Sequence, residues 1–269
     1  MALWLSPPSN LSLTDDEIHL WKAPLSCFTA QLQALAALLS PDEQQRAARF
    51  CFDKDRHQYW ASRGLLRLIL ATYLCEQPRA LRFIYGPYGK PALDPERHAE
   101  LRFNLSHSRG LALFAIARRY AVGVDLEFKR PDLQWQQIVE QFFSAQECRT
   151  LQQLPAQQQL SAFFDGWTRK EAYLKAKGQG LSLPLNQVEV SLSPDQPAAL
   201  LRTPDSQSAQ PLAQQVVLQG LDLGEEDRDN YSAAIAIETL SPETLNPTLK
   251  YWQIPPGWSL ELTDRSQSE

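Results

Sequence analysis

The sequence predicts an α+β protein made of two similar halves, each a small antiparallel sheet packed against a long helix. Its length of 269 residues suits one large domain or two small ones. In each half a long helical segment precedes about three strand-like runs. The runs LALFAIA in the first half and YSAAIAIE in the second are similar in character. We therefore expect two α+β halves.

The first half begins with a strand-like run at residues 2–5, followed by a proline-rich loop. Residues 29–39 favour a helix by composition, and Ser40 followed by Pro41 has the form of a helix N-cap with proline in the first turn. The main helix of this half is predicted at residues 55–74, and it should be buried because residues 65–74 are apolar almost all round. A turn and three strands are predicted after it, at residues 86–91, 101–106, 111–119 and 121–128, with a hairpin at Arg109–Gly110.

The second half repeats this order. Helices are predicted at residues 134–153 and 156–177, and Gly178 or Gly180 should end the second one. Strands are predicted at residues 186–192, 214–223 and 230–238, with loops at residues 193–211 and 225–230. The polar end of the chain, from about Pro255, is expected to fray.

Composition excludes several classes of protein. The formal net charge of −5 argues against a nucleic-acid partner. No run approaches the about 20 apolar residues of a membrane span, and prolines follow the first residues too early for a signal peptide. The four cysteines are scattered without a CxxC pair, which indicates reduced thiols and makes zinc unlikely. We expect a cytoplasmic protein that does not bind a membrane.

The first candidate site is the strand AVGVDLEF. Alternate residues of a strand share a face, so Asp125 and Glu127 should point to the side opposite Val122 and Val124. Two carboxylates on adjacent same-face positions repel each other unless a cation lies between them, and such hard oxygen ligands suit Mg²⁺. An edge strand with solvated acids is an equally good interpretation of this segment by itself.

The second candidate is the helix that contains WTRKEAYLK. Trp167, Glu171 and Leu174 fall on one face, which places a carboxylate among bulky apolar groups. A buried carboxylate needs a partner or a metal ion. An ordinary ion pair between Glu171 and Lys175, four residues apart, explains the spacing equally well.

Two turns complete the set. In FNLSHS, the side chains of Ser106 and His107 could donate to a phosphate, although a lone histidine is more often structural. In GKP, glycine lets the backbone approach a ligand and Lys90 offers a point charge, although a plain surface turn explains the tripeptide as well.

The order of these segments is more specific than any one of them. GKP, FNLSHS, GVDLE, WTRKEAYLK and KGQGLSLPL follow each other along the chain, with about forty residues between the two acidic motifs. This series resembles the 4′-phosphopantetheinyl transferase superfamily, in its larger Sfp-type branch, over residues 41–237. The resemblance implies a monomer with two pseudo-twofold-related halves and coenzyme A in the cleft between them.

The resemblance also implies a reaction. The phosphopantetheine arm of coenzyme A is moved to a serine of an apo acyl, peptidyl or aryl carrier protein, and adenosine 3′,5′-bisphosphate is released. Asp125, Glu127 and Glu171 match the ligands of Mg²⁺, for which Mn²⁺ could substitute. Glu171 matches the residue that deprotonates the serine, and Lys175 matches a contact to the pyrophosphate. Lys170 belongs to the same motif as a further cofactor contact.

The remaining coenzyme A contacts are expected in the first half. Lys90, Ser106 and His107 match positions that hold the nucleotide and its phosphates. Arg46 and Arg63 fall where basic residues grip the 3′-phosphate, and Arg63 is the stronger candidate. The chain departs from the family pattern at Glu43 and Gln58, where the family has basic residues.

The expected organisation and the competing functions follow from these matches. We expect an N-terminal half at residues 1–120 with coenzyme A contacts, a C-terminal half at residues 121–254 with the metal and catalytic residues, and a flexible tail at residues 255–269. Two other functions use the same residues: a Mg²⁺-dependent phosphohydrolase of coenzyme A or a nucleotide, and a catalytically silent regulator that binds carrier protein.

Overall fold

The computed structural model describes residues 2–193, 196–204, 216–238 and 247–258. Short 3₁₀ segments lie at Leu25–Gln31, Pro78–Ala80, Gly180–Ser182 and Leu185–Gln187. The α-helices are α1 (Leu32–Ala36), α2 (Pro41–Ala47), α3 (Asp53–Leu74), α4 (Pro95–His98), α5 (Trp135–Phe142), α6 (Ala145–Gln153) and α7 (Ala156–Lys177). The strands are β1 (Glu17–Pro24), β2 (Phe83–Tyr85), β3 (Pro91–Leu93), β4 (Arg102–Ser108), β5 (Leu111–Ala117), β6 (Ala121–Phe128), β7 (Glu189–Val190), β8 (Leu200–Arg202), β9 (Val216–Gly220), β10 (Tyr231–Glu238) and β11 (Thr248–Gln253).

Two main sheets organise these strands. The first has the order β11-β1-β5-β4, and the second, fully antiparallel, has the order β6-β10-β9. Two hairpins, β2–β3 and β7–β8, form small additional sheets. The predicted α+β class is confirmed, with one difference: β11 pairs with β1 in parallel, so the first sheet is mixed. A late segment of the chain therefore returns to the first sheet.

Each sheet packs a long helix on one face and the other sheet on the opposite face. Leu65 and Leu66 of α3 pack with Trp21 and Phe114 of the first sheet. On α7, Phe163 and Ala172 pack with the second sheet. Between the sheets lies a third core that includes Ile18, Leu20, Leu113, Val122, Val124 and Ile235. Because side chains alternate along a strand, the even-numbered residues of β6 enter this core and its odd-numbered residues face α7.

The long elements agree with the sequence. Helix α3 begins two residues before the predicted start, and α7 has the predicted bounds. Gly178, with φ of 67°, ends α7, because a left-handed residue without Cβ strain closes the helix. Pro41 opens α2 after Ser40, and Arg109 and Gly110 form the β4–β5 turn with positive φ.

Several elements differ from the prediction. Residues 2–5 form no strand and contribute a single bridge from Leu5 to Trp252. The helix expected at residues 134–153 is broken, because Phe143 is extended and Ser144 caps a new helix through Glu147. Strands β1, β2, β3, β8 and β11 were not predicted, and β8 lies within the loop expected at residues 193–211. Residues 29–39 are 3₁₀ before they are helical. Outside the described residues lie residues 194–195 and 205–211 of the predicted loop, residues 214–215 of a predicted strand and residues 259–269 of the predicted tail.

Candidate active site

Asp125 lies where β6 meets β4 and α7. Its Oδ1 atom accepts hydrogen bonds from Ser106 Oγ (3.0 Å) and Lys175 Nζ (2.5 Å). The carboxyl group is 3% exposed, and Oδ2 is buried with no hydrogen-bond partner among the described residues. A buried carboxylate oxygen without a donor is costly, so Oδ2 is suited to a cation from solution.

Glu127 is the next odd-numbered residue of β6. Its Oε2 atom accepts a hydrogen bond from Ser108 Oγ at 3.1 Å. Desolvation and the negative charge of Asp125 raise the pKa of Glu127 to about 7, against the lowering effect of Ser108 and Lys175. The two carboxylates therefore repel each other, as the sequence predicted from their shared face.

Glu171 approaches the same region from α7. Desolvation raises the pKa of its carboxyl group, and the charge of Asp125 raises it further, while Lys175 lowers it. Glu171 lines a cavity of about 370 Å³, which we call the central cleft. The cleft is also lined by Arg46, Tyr88, Gly89, Lys90, Pro91, Asn104, Leu105, Leu174, Lys175, Gly178 and Gly180.

Lys90 connects the β2–β3 hairpin to the second half of the chain. Its Nζ atom donates to Val122 O and Ala176 O, both at 3.2 Å. Desolvation lowers the pKa of Lys90 to about 8, partly offset by Glu238. An ammonium group has three N–H donors, so one remains for an anion in the cleft.

Arg46 lines the central cleft from α2. It is exposed on α2 and also lines a second, adjoining cavity of about 690 Å³ together with Arg49 and Tyr85. Gly89 lines both cavities, so the two spaces meet at the β2–β3 turn. An extended anionic ligand could therefore run from Lys175 to Arg46.

Two family models and several known proteins match the chain. The family model of the 4′-phosphopantetheinyl transferase superfamily matches residues 121–236, and that of the 4′-phosphopantetheinyl transferase N-terminal region matches residues 23–118. The chain is 46% identical over 203 residues to the 4′-phosphopantetheinyl transferase HetI of Nostoc sp. (strain PCC 7120), an alignment that covers 75% of this chain and 85% of HetI. The chain belongs to the 4′-phosphopantetheinyl transferase superfamily.

The chain is also similar to a further relative and to one solved structure. The 4′-phosphopantetheinyl transferase Sfp of Bacillus subtilis (strain 168) is 30% identical over 174 residues, 64% of this chain and 74% of Sfp. A solved holo-(acyl-carrier-protein) synthase from Bacillus anthracis, in complex with CoA (3′,5′-ADP), covers 45% of this chain and 96% of its own, with 19% identity and a TM-score of 0.35. Membership confirms the predicted activity, transfer of the 4′-phosphopantetheine group of coenzyme A to a carrier protein.

Arg63, which is expected to bind coenzyme A, is not among the residues that line the central cleft. Its Nε donates to Glu43 Oε1 at 2.8 Å, and Glu43 Oε2 accepts from Arg67 Nε at 2.7 Å. All three side chains are buried, and Arg63 is stacked over Phe83. Glu43 neutralises the charge of Arg63. Of the two arginine candidates, Arg46, the weaker one from the sequence, lines the cleft.

Lys170, expected as a further cofactor contact, lies in a different environment from Glu171. Although it precedes Glu171, it is fully buried in the second half, where Nζ forms an ion pair with Glu147 Oε2 at 2.8 Å. It also donates to Leu185 O at 2.9 Å and to Val188 O. Adjacent residues of a helix point about 100° apart, so Lys170 faces the protein interior and Glu171 faces the cleft.

The two residues of FNLSHS have different positions. Ser106 is buried and bonds Asp125, with Lys175 Nζ also 3.0 Å from its hydroxyl. His107 is exposed on the opposite face of β4, and the surrounding protein and the charge of Lys175 lower its pKa. Ser106 therefore holds a carboxylate in this structure.

The predicted metal ligands fit a divalent cation in their chemistry but do not converge. Among the described residues, no three His, Cys, Asp or Glu side chains are close enough to hold one ion. The unpartnered Oδ2 of Asp125 and the raised pKa values of Glu127 and Glu171 nevertheless identify an excess of negative charge there.

The sequence interpretation missed residues at the same junction. Asn104 Oδ1 accepts from Val124 N at 2.9 Å, and Ser108 bonds Glu127. Both alternate with Ser106 along β4, so the two-residue period of a strand was a signal for them. Tyr88, which packs against Gly180 at the cleft, had no comparable signal.

In the part of the chain that the structure describes, no helix combines the length and apolar character needed to cross a membrane.

Proposed function

We propose that coenzyme A binds in the central cleft and that its phosphopantetheine group passes there to a serine hydroxyl of an apo carrier protein. The observation that carries this proposal is the composition of the cleft. Arg46 and Lys90 from the first half face Glu171 and Lys175 of α7 across one cavity of about 370 Å³. A chain of net charge −5 thus presents three cations to a single space, which suits a polyanionic ligand.

The proposed reaction uses Glu171 as the base. The serine oxygen attacks the phosphorus next to the pantetheine arm, a new O–P bond forms, and the pyrophosphate O–P bond breaks. The bonding electrons leave with adenosine 3′,5′-bisphosphate, and the serine proton moves to the Glu171 carboxylate. The raised pKa of Glu171 brings its basicity closer to neutral pH, which favours this role.

The three cations bind and orient the donor. Lys175 would leave Asp125 to contact the pyrophosphate, since its side chain is already 29% exposed at the cleft. Lys90 would contribute its remaining N–H, and Arg46 would contact the distal phosphate from α2. Charge-assisted hydrogen bonds of this kind position a phosphoryl group and stabilise developing negative charge.

Asp125, Glu127 and Glu171 would hold Mg²⁺, or Mn²⁺ in its place, once the ion draws together carboxylates that form no ready-made three-ligand cluster among the described residues. A divalent cation held there would neutralise charge on the pyrophosphate and stabilise the departing group. The buried, unpartnered Oδ2 of Asp125 supports this assignment.

We further propose a cytoplasmic monomer. Residues 1–120 and 121–254 both contribute to the cleft, so one chain carries a whole site. All four cysteines are free, and three of them are exposed, which suits a reducing compartment. Light scattering after size-exclusion chromatography tests whether the protein is a monomer. The acyl, peptidyl and aryl carrier proteins are all candidate acceptors.

One assay tests the function. The protein is incubated with coenzyme A, Mg²⁺ and an apo acyl carrier protein, and the carrier is weighed by mass spectrometry. A gain of one phosphopantetheine group supports transfer, whereas consumption of coenzyme A without a gain would indicate a phosphohydrolase. If neither change is observed, the protein is a silent regulator or acts on another class of carrier. Repeating the assay with apo peptidyl and aryl carriers distinguishes these two outcomes. If Glu171→Ala transfers the group at the wild-type rate, Glu171 is not the base.

A further inference from the structure

Three side chains of β4 reach across to β6. Asn104, Ser106 and Ser108 are spaced two residues apart and point the same way. Their partners are Val124 N (2.9 Å), Asp125 Oδ1 (3.0 Å) and Glu127 Oε2 (3.1 Å). The strands belong to different sheets, so these side chains take the place of a backbone ladder between the two halves.

The Ser108 hydroxyl has a fixed direction. Its oxygen accepts a hydrogen bond from Phe128 N at 3.1 Å, and its Oγ lies 3.1 Å from Glu127 Oε2. A carboxylate accepts and a backbone N–H donates, so the hydroxyl proton must point at Glu127. The backbone of β6 therefore orients Ser108, and Ser108 orients the carboxylate one residue before Phe128.

We propose that Ser108 is a positioning residue that holds the Glu127 carboxylate for metal binding; this inference rests on the proposed role of Glu127 as a ligand. A hydroxyl that donates to one carboxylate oxygen restricts the side chain to one orientation. Hydrogen-bond partners of metal ligands commonly act in this way.

Substitution of Ser108 tests this positioning role without disturbing the coenzyme A contacts, which substitution of Ser106 does not. The Ser106 hydroxyl lies within 3.0 Å of both Asp125 and Lys175, so its removal also disturbs a cation of the cleft. Ser108 is not among the residues that line the cleft. A change in metal affinity on substitution of Ser108 therefore reports on Glu127.

The experiment titrates the full chain with Mn²⁺ in the presence of coenzyme A and follows free Mn²⁺ by electron paramagnetic resonance. Ser108→Ala should weaken Mn²⁺ binding by about tenfold or more, the usual effect of losing a partner of a metal ligand. Ser108→Thr, which keeps the hydroxyl, should restore it. Ser191→Ala is the matched control, because Ser191 likewise donates to Pro197 O and accepts from Ala199 N, outside the cleft.

Urea unfolding of each variant distinguishes an effect on the orientation of Glu127 from a general loss of protein stability. Ser108→Ala and Ser191→Ala should lower the unfolding midpoint similarly, and only Ser108→Ala should weaken Mn²⁺ binding. Wild-type Mn²⁺ affinity in Ser108→Ala would overturn the inference, provided that Glu127→Ala weakens binding. If Glu127→Ala binds Mn²⁺ as the wild type does, Glu127 is not a ligand, and the proposed metal site and this inference both fail.

Discussion

Glu43 Oε1 accepts a hydrogen bond from Arg63 Nε at 2.8 Å, and both side chains are buried. The other oxygen of the same carboxylate binds Arg67, so one acid serves two guanidinium groups beneath the β2–β3 hairpin. This arrangement explains why an acid can occupy α2, the helix that also carries Arg46 of the central cleft. Glu43 is buried and joins α2 to α3.

Glu43→Gln should destabilise the protein strongly. The substitution leaves two buried guanidinium groups without their anion, and breaking one side of a buried ion pair costs about 3–5 kcal/mol. Urea unfolding followed by circular dichroism measures the change. Glu140→Gln, an exposed acid on α5, should change the free energy of unfolding by less than about 0.5 kcal/mol. Equal effects for the two variants would show that the triad contributes nothing.

Lys170→Met should lower stability without weakening coenzyme A binding. It removes the buried partner of Glu147, although Ser144 N and Val190 N still donate to that carboxylate. We expect a loss near the lower end of the about 3–5 kcal/mol found for broken buried pairs. Isothermal titration of the folded variant should give the wild-type dissociation constant for coenzyme A. A large increase in that constant would return Lys170 to the list of ligand contacts.

Gly123→Ala should separate β6 from α7. A Cβ at residue 123 would lie 2.1 Å from Ala172 O and 2.2 Å from Ala176 N, and neither backbone atom can move independently of the helix. The cost should equal or exceed the about 1–3 kcal/mol typical of overpacking, and transfer activity should fall because Asp125 and Glu171 lie on the two separated elements. At Gly86 a Cβ would meet only Lys90 O, at 3.8 Å, so Gly86→Ala is the matched control. A stable, active Gly123→Ala variant would contradict this packing.

Coenzyme A affinity should fall as pH rises through the pKa of Lys90. That pKa is lowered to about 8, mainly by desolvation. The side chain is therefore largely charged at neutral pH and loses its proton as the pH rises through about 8. An anion binds the charged form, so the dissociation constant should increase by up to about tenfold per pH unit above pH 8. Lys90→Arg should flatten the dependence, since arginine stays charged. The same slope in both proteins would assign the titration to another group.

The sequence predicts the long elements and the acidic residues well because their signals are local. The apolar residues of α3 and the bounds of α7 follow from helical composition and Gly178. The common face of Asp125 and Glu127 follows from the two-residue period of β6. These features need only near neighbours in the chain.

The environment of single cations could not be predicted in this way. Arg63 is paired with Glu43, twenty residues earlier in the chain, through a contact that only the packing of α2 on α3 creates. Lys170 is assigned to the interior by Glu147 of another helix. The pairing of β1 with β11 likewise joins residues more than two hundred positions apart. Such contacts carry no periodic signal.

The most direct test that coenzyme A binds in the central cleft is to measure its dissociation constant for two variants, Lys175→Gln and Lys177→Gln. Both lysines lie at the end of α7 and each pairs with an acid, Asp125 or Glu238, but only Lys175 lines the cleft. Loss of a charge-assisted hydrogen bond should raise the constant about tenfold or more for Lys175→Gln. Lys177→Gln should stay close to the wild type. Equal constants for the two variants would contradict the location of the site.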